Sequence, residues 1–448
     1  MADKTKRKKA IRRRRIFLAC VATMLAVCVA ALAVIINAVI KSDNIDTNSQ
    51  GASSSQKENE SKDNFDPNKV VASAKVVNTG DVILHSTVLD GAKTTDGEYD
   101  FSAFFMQTQN YFKKADLATA NLEITLGGTE SGAYSGYPAF NSPDVLLDTI
   151  KNSGIGFLTT ANNHCYDTGL FGLKRTVQQL RSKSIDFSGT KESDADPTYI
   201  IKDINGIKIG MVAYTYENTS AAGQKSINGN IVKTEANNLI NSFAYERIDE
   251  FYTQAQSVIS DMKNDGADAV VFYMHWGEEY QLSENTWQKS IAQKLCNMGV
   301  NVIVGSHPHV VQPISLIHSE DSQNTTVCLY SMGNAISNQR QEIMNPECTT
   351  GHTEDGVLFY YTFEKYADGT VALAGVDIIP TWVNKYRGGS GYQYTMYPLE
   401  NEQMAESYGL DAAAVSKAKA SYLRTKQTVS SGLTECQQYL DCEIRFAQ

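Results

Sequence analysis

Two histidines follow a short apolar run in the second half of this chain. Residues 300–304 are too few for a helix and have the composition of a buried strand. Gly305 ends the run, and His307 and His309 then lie on either side of Pro308. Because open α/β sheets bind ligands where their parallel strands end, two imidazoles at this position predict a ligand site.

The order of helix, glycine, apolar strand and polar side chain recurs upstream. Four further predicted strands end in residues with ligand side chains, namely Asp81, Asn121 with Glu123, Asn162 to His164 with Asp167, and His275. We expect one edge of a sheet to bring these ends together. Asp, Glu, Asn and His bind divalent transition metals, so the set predicts a metal site.

Single members of this set also have purely structural interpretations. Asp81 is suited to a turn, and Asp167 is suited to the N-cap of the helix that follows it. His275 precedes Trp276, a neighbour that usually indicates packing. Four of the seven histidines nevertheless directly follow predicted buried strands, which favours a metal site over separate structural roles.

The N-terminal part is built differently from the rest. Residues 1–15 are a basic tail with one acid, Asp3, and residues 16–40 carry no charge. At ~1.5 Å per helical residue this run reaches ~37 Å, which is enough to cross a ~30 Å hydrocarbon core. Basic residues before the span predict a cytoplasmic N-terminus and an extracytoplasmic domain. Cleavage of a signal peptide after Ala33 is the alternative, but the apolar run continues to Ile36, which favours an uncleaved single-pass anchor.

Residues 41–71 are predicted to be a flexible linker, because they are rich in small polar and charged residues. Residues 1–40 hold nine of the 40 bases and one of the 50 acids. The remainder has 31 bases and 49 acids, a formal net charge of −18. This balance argues against a general nucleic-acid or anionic-membrane binder. Six cysteines lie beyond the span, and their spacing predicts no disulfide framework.

Helical patterns alternate with the strands, at residues 101–114, 143–152, 170–183, 245–263 and 285–298. This alternation predicts an α/β core. Further strands are predicted at residues 326–331, 357–364 and 371–380. Residues 215–243 are predicted to be a long loop beside the site. Residues 396–448 are predicted to be a peripheral helical segment.

Six short motifs occur in an order that resembles one known family: GDVIL (80–84), NLE (121–123), ANNHCYD (161–167), HWGEEY (275–280), GSHPHVVQ (305–312) and YSMGN (330–334). They are similar to those of the CapA family of poly-γ-glutamate capsule biosynthesis proteins, a branch of the calcineurin-like metallophosphoesterase superfamily. The resemblance covers roughly residues 72–382. It implies a CapA-type domain over residues 72–395, folded as a four-layer α/β/β/α sandwich with a two-metal site at one edge.

The resemblance also implies a role for each site residue. Six would be metal ligands: Asp81 and His309 for the first ion, Asn163, His275 and His307 for the second, and Glu123 between them, where the superfamily usually has Asp. His164 would be the general acid, with Asp167 orienting it. One or two ions of Mn, Fe or Zn would occupy such a site. Two ions ~4 Å apart stabilise the charge that develops during in-line displacement at phosphorus.

The first motif departs from the family pattern at two positions. Ile83 stands where the superfamily usually has a histidine ligand, and Ser86 stands where the capsule family commonly has an arginine. His85 lies on the same strand face as Ile83 by period two, but we do not expect it to substitute. These departures leave the number of metals and the phosphatase chemistry open.

Three functions are compatible with these features. The first is a membrane-anchored protein for biosynthesis or export of an anionic surface polymer such as poly-γ-glutamate, with polymer synthetase or export subunits as partners. The second is an exported metal-dependent phosphoesterase or related hydrolase acting on envelope components. The third is a binding ectodomain with an inactive site. None of them involves nucleic acid.

Overall fold

The computed structural model of the chain describes residues 66–344, 346–389 and 391–446. The predicted basic tail, the predicted span and nearly all of the predicted linker lie outside these ranges. Within the described ranges, no helix is both long enough and apolar enough to cross a membrane.

Seventeen strands occur in the described residues, and they form two sheets. Their bounds are β1 (Val70–Val82), β2 (Leu117–Leu122), β3 (Ile155–Thr159), β4 (Asp186–Ser188), β5 (Ile200–Ile204), β6 (Ile207–Thr219), β7 (Lys225–Ile227), β8 (Asn230–Ile231), β9 (Ser242–Ala244), β10 (Ala269–His275), β11 (Val302–Ser306), β12 (Ile314–His318), β13 (Thr325–Leu329), β14 (Asn334–Ile336), β15 (Asp355–Tyr366), β16 (Val371–Arg387) and β17 (Tyr392–Pro398).

The first sheet has the order β17-β16-β15-β1-β2-β3-β4, with β14 also pairing with β1. The second has the order β12-β13-β11-β10-β6-β7-β8, and β5 and β9 also pair with β6. The central strands β1, β2 and β3 are parallel in one sheet, as are β6, β10, β11 and β13 in the other. The chain is therefore a mixed α/β protein with two sheets.

Eight α-helices occur in the described residues: α1 (Ser86–Ala92), α2 (Gln109–Lys113), α3 (Val145–Ser153), α4 (Gly169–Ser182), α5 (Ile248–Asn264), α6 (Thr286–Asn297), α7 (Met404–Ser407) and α8 (Ala412–Phe446). Local sequence sets their ends. The side chain of Asn285 accepts a hydrogen bond from the backbone N of Gln288, and the side chain of Gln288 accepts one from the backbone N of Asn285. This reciprocal pair is a capping box at the start of α6. Gly154 ends α3 with φ of 106°, a conformation that glycine adopts at little cost.

Three apolar clusters account for most of the core. One contains inward side chains from both sheets, such as Val76 and Phe359 from the first and Met211 and Val271 from the second. A second lies on the other face of the first sheet and includes Leu146 of α3. The third lies on the other face of the second sheet beneath α5 and α6. The strands that are buried on both faces therefore have the nearly continuous apolar sequences that parallel sheets require.

Three expectations about the elements before the C-terminal segment need correction. The strand ends that carry polar residues belong to two sheets and not to one. Of the helix predicted at residues 101–114, only α2 is α-helical. Residues 215–243 are not an unstructured loop, because they contain the end of β6 and strands β7, β8 and most of β9. An apolar run of five to seven residues carries no information about which sheet it joins, which explains the first error.

The C-terminal helix α8 is not peripheral. Val429, Leu433, Cys436 and Leu440 belong to the cluster between the sheets. Arg424 of the same helix pairs with buried Asp355 at 2.7 Å. Its Ala- and Lys-rich composition suggested an exposed helix, but one apolar stripe is enough to bury one face.

Candidate metal centre

The parallel register of both sheets brings the polar strand ends together. Asp81 of β1 lies opposite Asn121 of β2, and Asn121 lies opposite Thr159 of β3. In the second sheet, His275 of β10 lies opposite Ser306 of β11. The loops that leave these strands carry the remaining predicted ligands to the same place, and all six predicted ligands are buried.

Two groups of three side chains place their ligand atoms within 4.8 Å of one another. One group is Asp81, Glu123 and His309, and the other is Glu123, His275 and His307. Oε1 of Glu123 lies 3.5 Å from Nε2 of His275 and 3.7 Å from Nε2 of His309. Glu123 therefore belongs to both groups, and each group could hold a metal ion.

Two buried atoms of this centre have no hydrogen-bond partner among the described residues: Oε1 of Glu123 and Nδ1 of His307. Burial, with the nearby charge of Asp81, raises the pKa of Glu123 well above its ordinary value. Burial and the neighbouring imidazoles lower the pKa values of His275 and His307. A divalent cation would satisfy both atoms and offset the repulsion between the carboxylates. It also needs neutral imidazoles as ligands, which the lowered pKa values of the two histidines provide. The residues present therefore fit a transition-metal ion.

His309 has a different environment from the other two ligand histidines. Its Nδ1 lies 3.1 Å from Oδ2 of Asp81 and 3.2 Å from Oδ1 of Asn334. Burial disfavours the charged ring, but the hydrogen bond and the charge of Asp81 outweigh it and raise the pKa of His309. Asp81 is fully buried within β1, so the alternative of an exposed turn residue is wrong.

Asn163 and His164 point to different parts of the centre. Oδ1 of Asn163 lies 2.7 Å from Nε2 of His275, which places the amide beside the second group. Nδ1 of His164 donates to Oδ2 of Asp167 at 2.8 Å, and the same oxygen accepts from the backbone N of Phe140 at 2.7 Å. Helix α4 is preceded by Thr168 at its N-cap position, so the N-cap interpretation of Asp167 is wrong.

The loop after β11 has an unusual backbone. His307 has φ of 98° and His309 has φ of 57°, values that non-glycine residues adopt at a cost. Pro308 lies between them, and its carbonyl oxygen accepts from the backbone N of Tyr280 at 2.8 Å. This conformation turns both imidazoles into the centre from one short segment, where they lie with ring centroids 6.1 Å apart.

A cavity of about 530 Å³ opens beside the centre. His309 and His164 both border it, and Phe140 packs edge-on against the His164 ring at 4.6 Å. Its charged lining residues are Glu279 and Glu347, and no Lys or Arg is among the described residues that line it. We call this space the metal cavity.

Residues 75–339 match the model of the family described as bacterial capsule synthesis protein PGA_cap. The match covers more than half of the chain, and it includes every residue of the two ligand groups. The chain belongs to this capsule synthesis family. The resemblance carried by the six motifs is thereby confirmed.

Two curated relatives from the genus Bacillus are similar to this family member. The PGA biosynthesis protein CapA of Bacillus subtilis (strain 168) is 27% identical over 234 residues, which are 52% of this chain and 53% of that protein. The capsule biosynthesis protein CapA of Bacillus anthracis is 25% identical over 312 residues, 67% of this chain and 65% of that protein. The chain therefore spans less than two thirds of the length of either relative. A solved structure with a TM-score of 0.33 at 10% identity is too distant to bear on the fold.

In this family member, Asn121 forms hydrogen bonds to two of the candidate ligands. Its Nδ2 donates to Oδ1 of Asp81 at 2.8 Å and to Oε2 of Glu123 at 3.3 Å. Its Oδ1 accepts from Thr159 at 3.0 Å and from Asn162 at 3.3 Å. The sequence pointed to Asn121 as a strand-end residue but gave no reason to assign it this role, which depends on the register of β1 and β2.

Two contacts come from the segment that was predicted to be a loop. The ring of Tyr216 lies 4.9 Å from that of His307 and is nearly parallel to that of His275. Nδ2 of Asn228, at the turn between β7 and β8, lies 3.5 Å from Nδ1 of His164 and borders the metal cavity. The Asn228-Gly229 dipeptide is the one sequence signal for this hairpin, because it is typical of tight turns.

One of the two departures in the first motif, Ile83, lies beside the metal cavity. Ile83 and His85 both border it, and neither belongs to a ligand group among the described residues. Nδ1 of His85 accepts from the backbone N of Asn338 at 3.3 Å, and burial lowers the pKa of His85 to about 3. Ser86 is the first residue of α1. A neutral His85 and apolar Ile83 therefore form part of the wall.

Proposed function

We propose that this capsule synthesis protein acts in the biosynthesis or export of an anionic surface polymer, such as poly-γ-glutamate, through a dinuclear metal centre. The observation that carries the proposal is the position of Glu123, whose unpartnered Oε1 lies between two histidine nitrogens of separate ligand groups. A single structural ion would need one such group, whereas this chain has two that share a carboxylate.

The first ion would be held by Asp81, Glu123 and His309, and the second by Glu123, Asn163, His275 and His307. The ligand chemistry fits Mn, Fe or Zn. When bound, two such ions supply Lewis-acid stabilisation of negative charge on a phosphoryl or acyl oxygen. Asn121 keeps Asp81 and Glu123 in place through its two donated hydrogen bonds.

His164 is the proposed proton donor. Because its Nδ1 donates to Asp167, its ring orientation is fixed, and its Nε2 makes no hydrogen bond within the described residues. The ring borders the metal cavity, so a protonated His164 can donate from Nε2 to a leaving oxygen held there. Asp167 orients the ring, as a carboxylate does in other His–Asp pairs.

A second candidate function is an exported metal-dependent phosphoesterase acting on envelope components. The His164–Asp167 pair favours this hydrolytic function, because a protein that only bound a polymer would not need an oriented proton donor beside its metals. In this case the polymer is not the substrate, although the site residues and their roles are the same.

Our proposals also include a metallophosphoesterase-like four-layer sandwich over residues 72–395, followed by the helical segment of residues 396–448. We further propose an uncleaved anchor at residues 16–40 and partner subunits in the membrane. An intact N-terminus in the membrane fraction would support the anchor. A mature chain that begins after Ala33 would contradict it.

Metal analysis of the full chain, combined with two activity assays, tests the function. We expect bound transition metal, hydrolysis of at least one member of a phosphoester panel, and loss of polymer production when His307→Ala replaces the wild-type chain in the producing cell. Phosphoester hydrolysis without any effect on polymer production would favour the second candidate. A folded, metal-free chain that supports polymer production would contradict both.

A further inference from the structure

A second cleft lies away from the metal centre, between helix α5 and the segment that contains β7, β8 and β9. Its volume is about 660 Å³. Its lining includes the basic residues Lys191, Lys225 and Arg247, whereas the metal cavity has no such residue among its described lining. We call this space the α5 cleft.

Two of these three bases are already paired with carboxylates, since both contact Glu217 and Arg247 also pairs with Glu250. Nζ of Lys225 lies 3.1 Å from Oε2 of Glu217, and a guanidinium nitrogen of Arg247 lies 2.8 Å from Oε1 of the same carboxylate. Lys225 also donates to the carbonyl oxygens of Asn237 and Ile240. This arrangement holds the wall of the cleft rigid but leaves little donor capacity for a ligand.

Lys191 is different, because no carboxylate pairs with it among the described residues. Its Nζ donates to Oγ1 of Thr198 at 2.8 Å. The charges of Asp194 and Asp196 favour the charged form of Lys191 from a distance, without an ion pair. Asp196 instead forms an ion pair with Arg181 at 2.7 Å. Its ammonium group is half-buried, and burial lowers the pKa of Lys191. A half-buried ammonium with one neutral partner retains donors for an anion.

Tyr214 contributes a second free donor. Its side chain is 2% exposed and lines the α5 cleft, with its ring stacked on Phe272 and edge-on to Phe251. Its hydroxyl has no hydrogen-bond partner among the described residues. Because Tyr214 lines the cleft, this hydroxyl can donate to a group that binds there.

We infer that the α5 cleft binds a carboxylate group at the Lys191 ammonium, with the Tyr214 hydroxyl as a further donor in the same cleft. The carboxylate belongs to either a small organic acid or a segment of an acidic polymer. One uncommitted positive charge matches one carboxylate. A phosphate group would need the fork of a free arginine or a second free cation, and Arg247 is tied to Glu217. The remaining lining acids, Glu250 and Asp261, lie on the exposed surface of α5.

Calorimetric titration of the full chain tests this inference with four probes. Glutarate represents a small acid, a γ-linked glutamate trimer represents a polymer segment, glutaramide is the uncharged control, and inorganic phosphate is the competing anion. We expect glutarate or the trimer to bind, glutaramide not to bind and phosphate to bind more weakly. A trimer that binds tighter than glutarate identifies the polymer as the source of the carboxylate, and equal affinities identify the small acid.

Two variants and one control locate the binding site. Lys191→Met keeps the apolar stem and should weaken carboxylate binding about tenfold, the effect of one lost charge-assisted bond. Tyr214→Phe keeps the stacked ring and should weaken it by a smaller factor. Lys233→Met, at an exposed residue of the same segment outside the cleft lining, should have no effect. Binding should also survive chelation of metal.

Three results would overturn the inference. They are equal binding of glutaramide and glutarate, unchanged carboxylate affinity in Lys191→Met, and carboxylate binding that disappears on chelation. The last result would move the carboxylate to the metal centre and leave the proposed function intact.

Discussion

The metal cavity and the α5 cleft are of comparable size but differ in how their polar groups are satisfied. In the metal centre, the unpartnered atoms are acceptors, a carboxylate oxygen of Glu123 and a ring nitrogen of His307. In the α5 cleft, the uncommitted groups are donors, the ammonium of Lys191 and the hydroxyl of Tyr214. Clustered acceptors suit a cation and clustered donors suit an anion, so the two spaces are complementary to opposite charges.

This contrast explains how a protein with a net negative charge could bind an acidic polymer. The acidic composition argues against general attraction of polyanions, and the metal cavity has Glu279 and Glu347 in its lining. Binding of carboxylates at the α5 cleft would separate recognition of the polymer from chemistry at the metals. The net charge of the protein does not predict which ligand binds in either space, because charges within about one Debye length of the ligand decide its binding.

The largest expected effect is on metal content and distinguishes the two ligand groups. Glu123→Gln removes the carboxylate that both groups share, so this variant should lose both ions. His307→Ala removes a ligand from one group only and should retain the other ion. Loss of even a supporting residue costs ~10 to 100-fold in metal affinity, and loss of a ligand should cost more.

Elemental analysis of the purified chains, with circular dichroism to verify folding, measures this difference. Glu130→Gln, at an exposed carboxylate, and Lys191→Met in the α5 cleft are the controls and should keep wild-type metal content. Equal metal content in Glu123→Gln and the wild-type chain would mean that Glu123 does not bridge. It would also remove the contrast between the two spaces.

The next effect concerns chemistry without metal loss. His164→Asn should retain both ions and the fold but lose ~100 to 10,000-fold in turnover, the usual contribution of a general acid. His318→Asn, at an exposed histidine of β12 that belongs to neither ligand group, is the matched control. Initial rates on the best phosphoester of the panel, normalised to metal content, measure the effect. A metal-loaded His164→Asn chain with full activity would favour a site that only binds.

The sequence was sufficient to predict which side chains come together in the two candidate ligand groups, because these residues follow buried strands. Asp81, Glu123, His275 and His307 each lie at or just beyond the end of an apolar run, and parallel strands necessarily gather such ends at one edge. This argument needs only the pattern within each strand. It does not need the order of strands or their division between two sheets.

The rest of the centre depends on contacts that no local pattern encodes. Tyr216 packs on His307 because β6 lies beside β10, and Asn121 holds Asp81 because of the register of β1 and β2. The α5 cleft was missed entirely for the same reason. In the sequence, Lys191 and Tyr214 are distant from the helix that completes the cleft. Each is also an ordinary residue for a loop or a strand.

A smaller effect on turnover is expected from the hairpin that reaches into the metal cavity. Asn228 has φ of 48°, so Asn228→Gly keeps the turn and removes only the amide beside His164. Losing this polar contact beside the ring should lower turnover about 2- to 10-fold. Asn205→Gly is the matched control, because Asn205 also has positive φ, at 55°, and precedes a glycine in an exposed turn. Equal activity of the two variants would show that Asn228 does not position the proton donor.

The smallest effect is on stability and tests the free hydroxyl in the α5 cleft. Tyr214 and Tyr273 are both buried, but only the Tyr273 hydroxyl is bonded, at 3.1 Å from Oδ1 of Asn78 and 3.4 Å from the hydroxyl of Tyr361. Tyr273→Phe should therefore lower the free energy of unfolding by about 1 kcal/mol, and Tyr214→Phe should change it by less than half as much. Urea denaturation without added ligand measures both, from the shift in midpoint at unchanged slope. If Tyr214→Phe is as costly as Tyr273→Phe, its hydroxyl already has a partner within the protein, and Lys191 alone would have to hold an anion in the cleft.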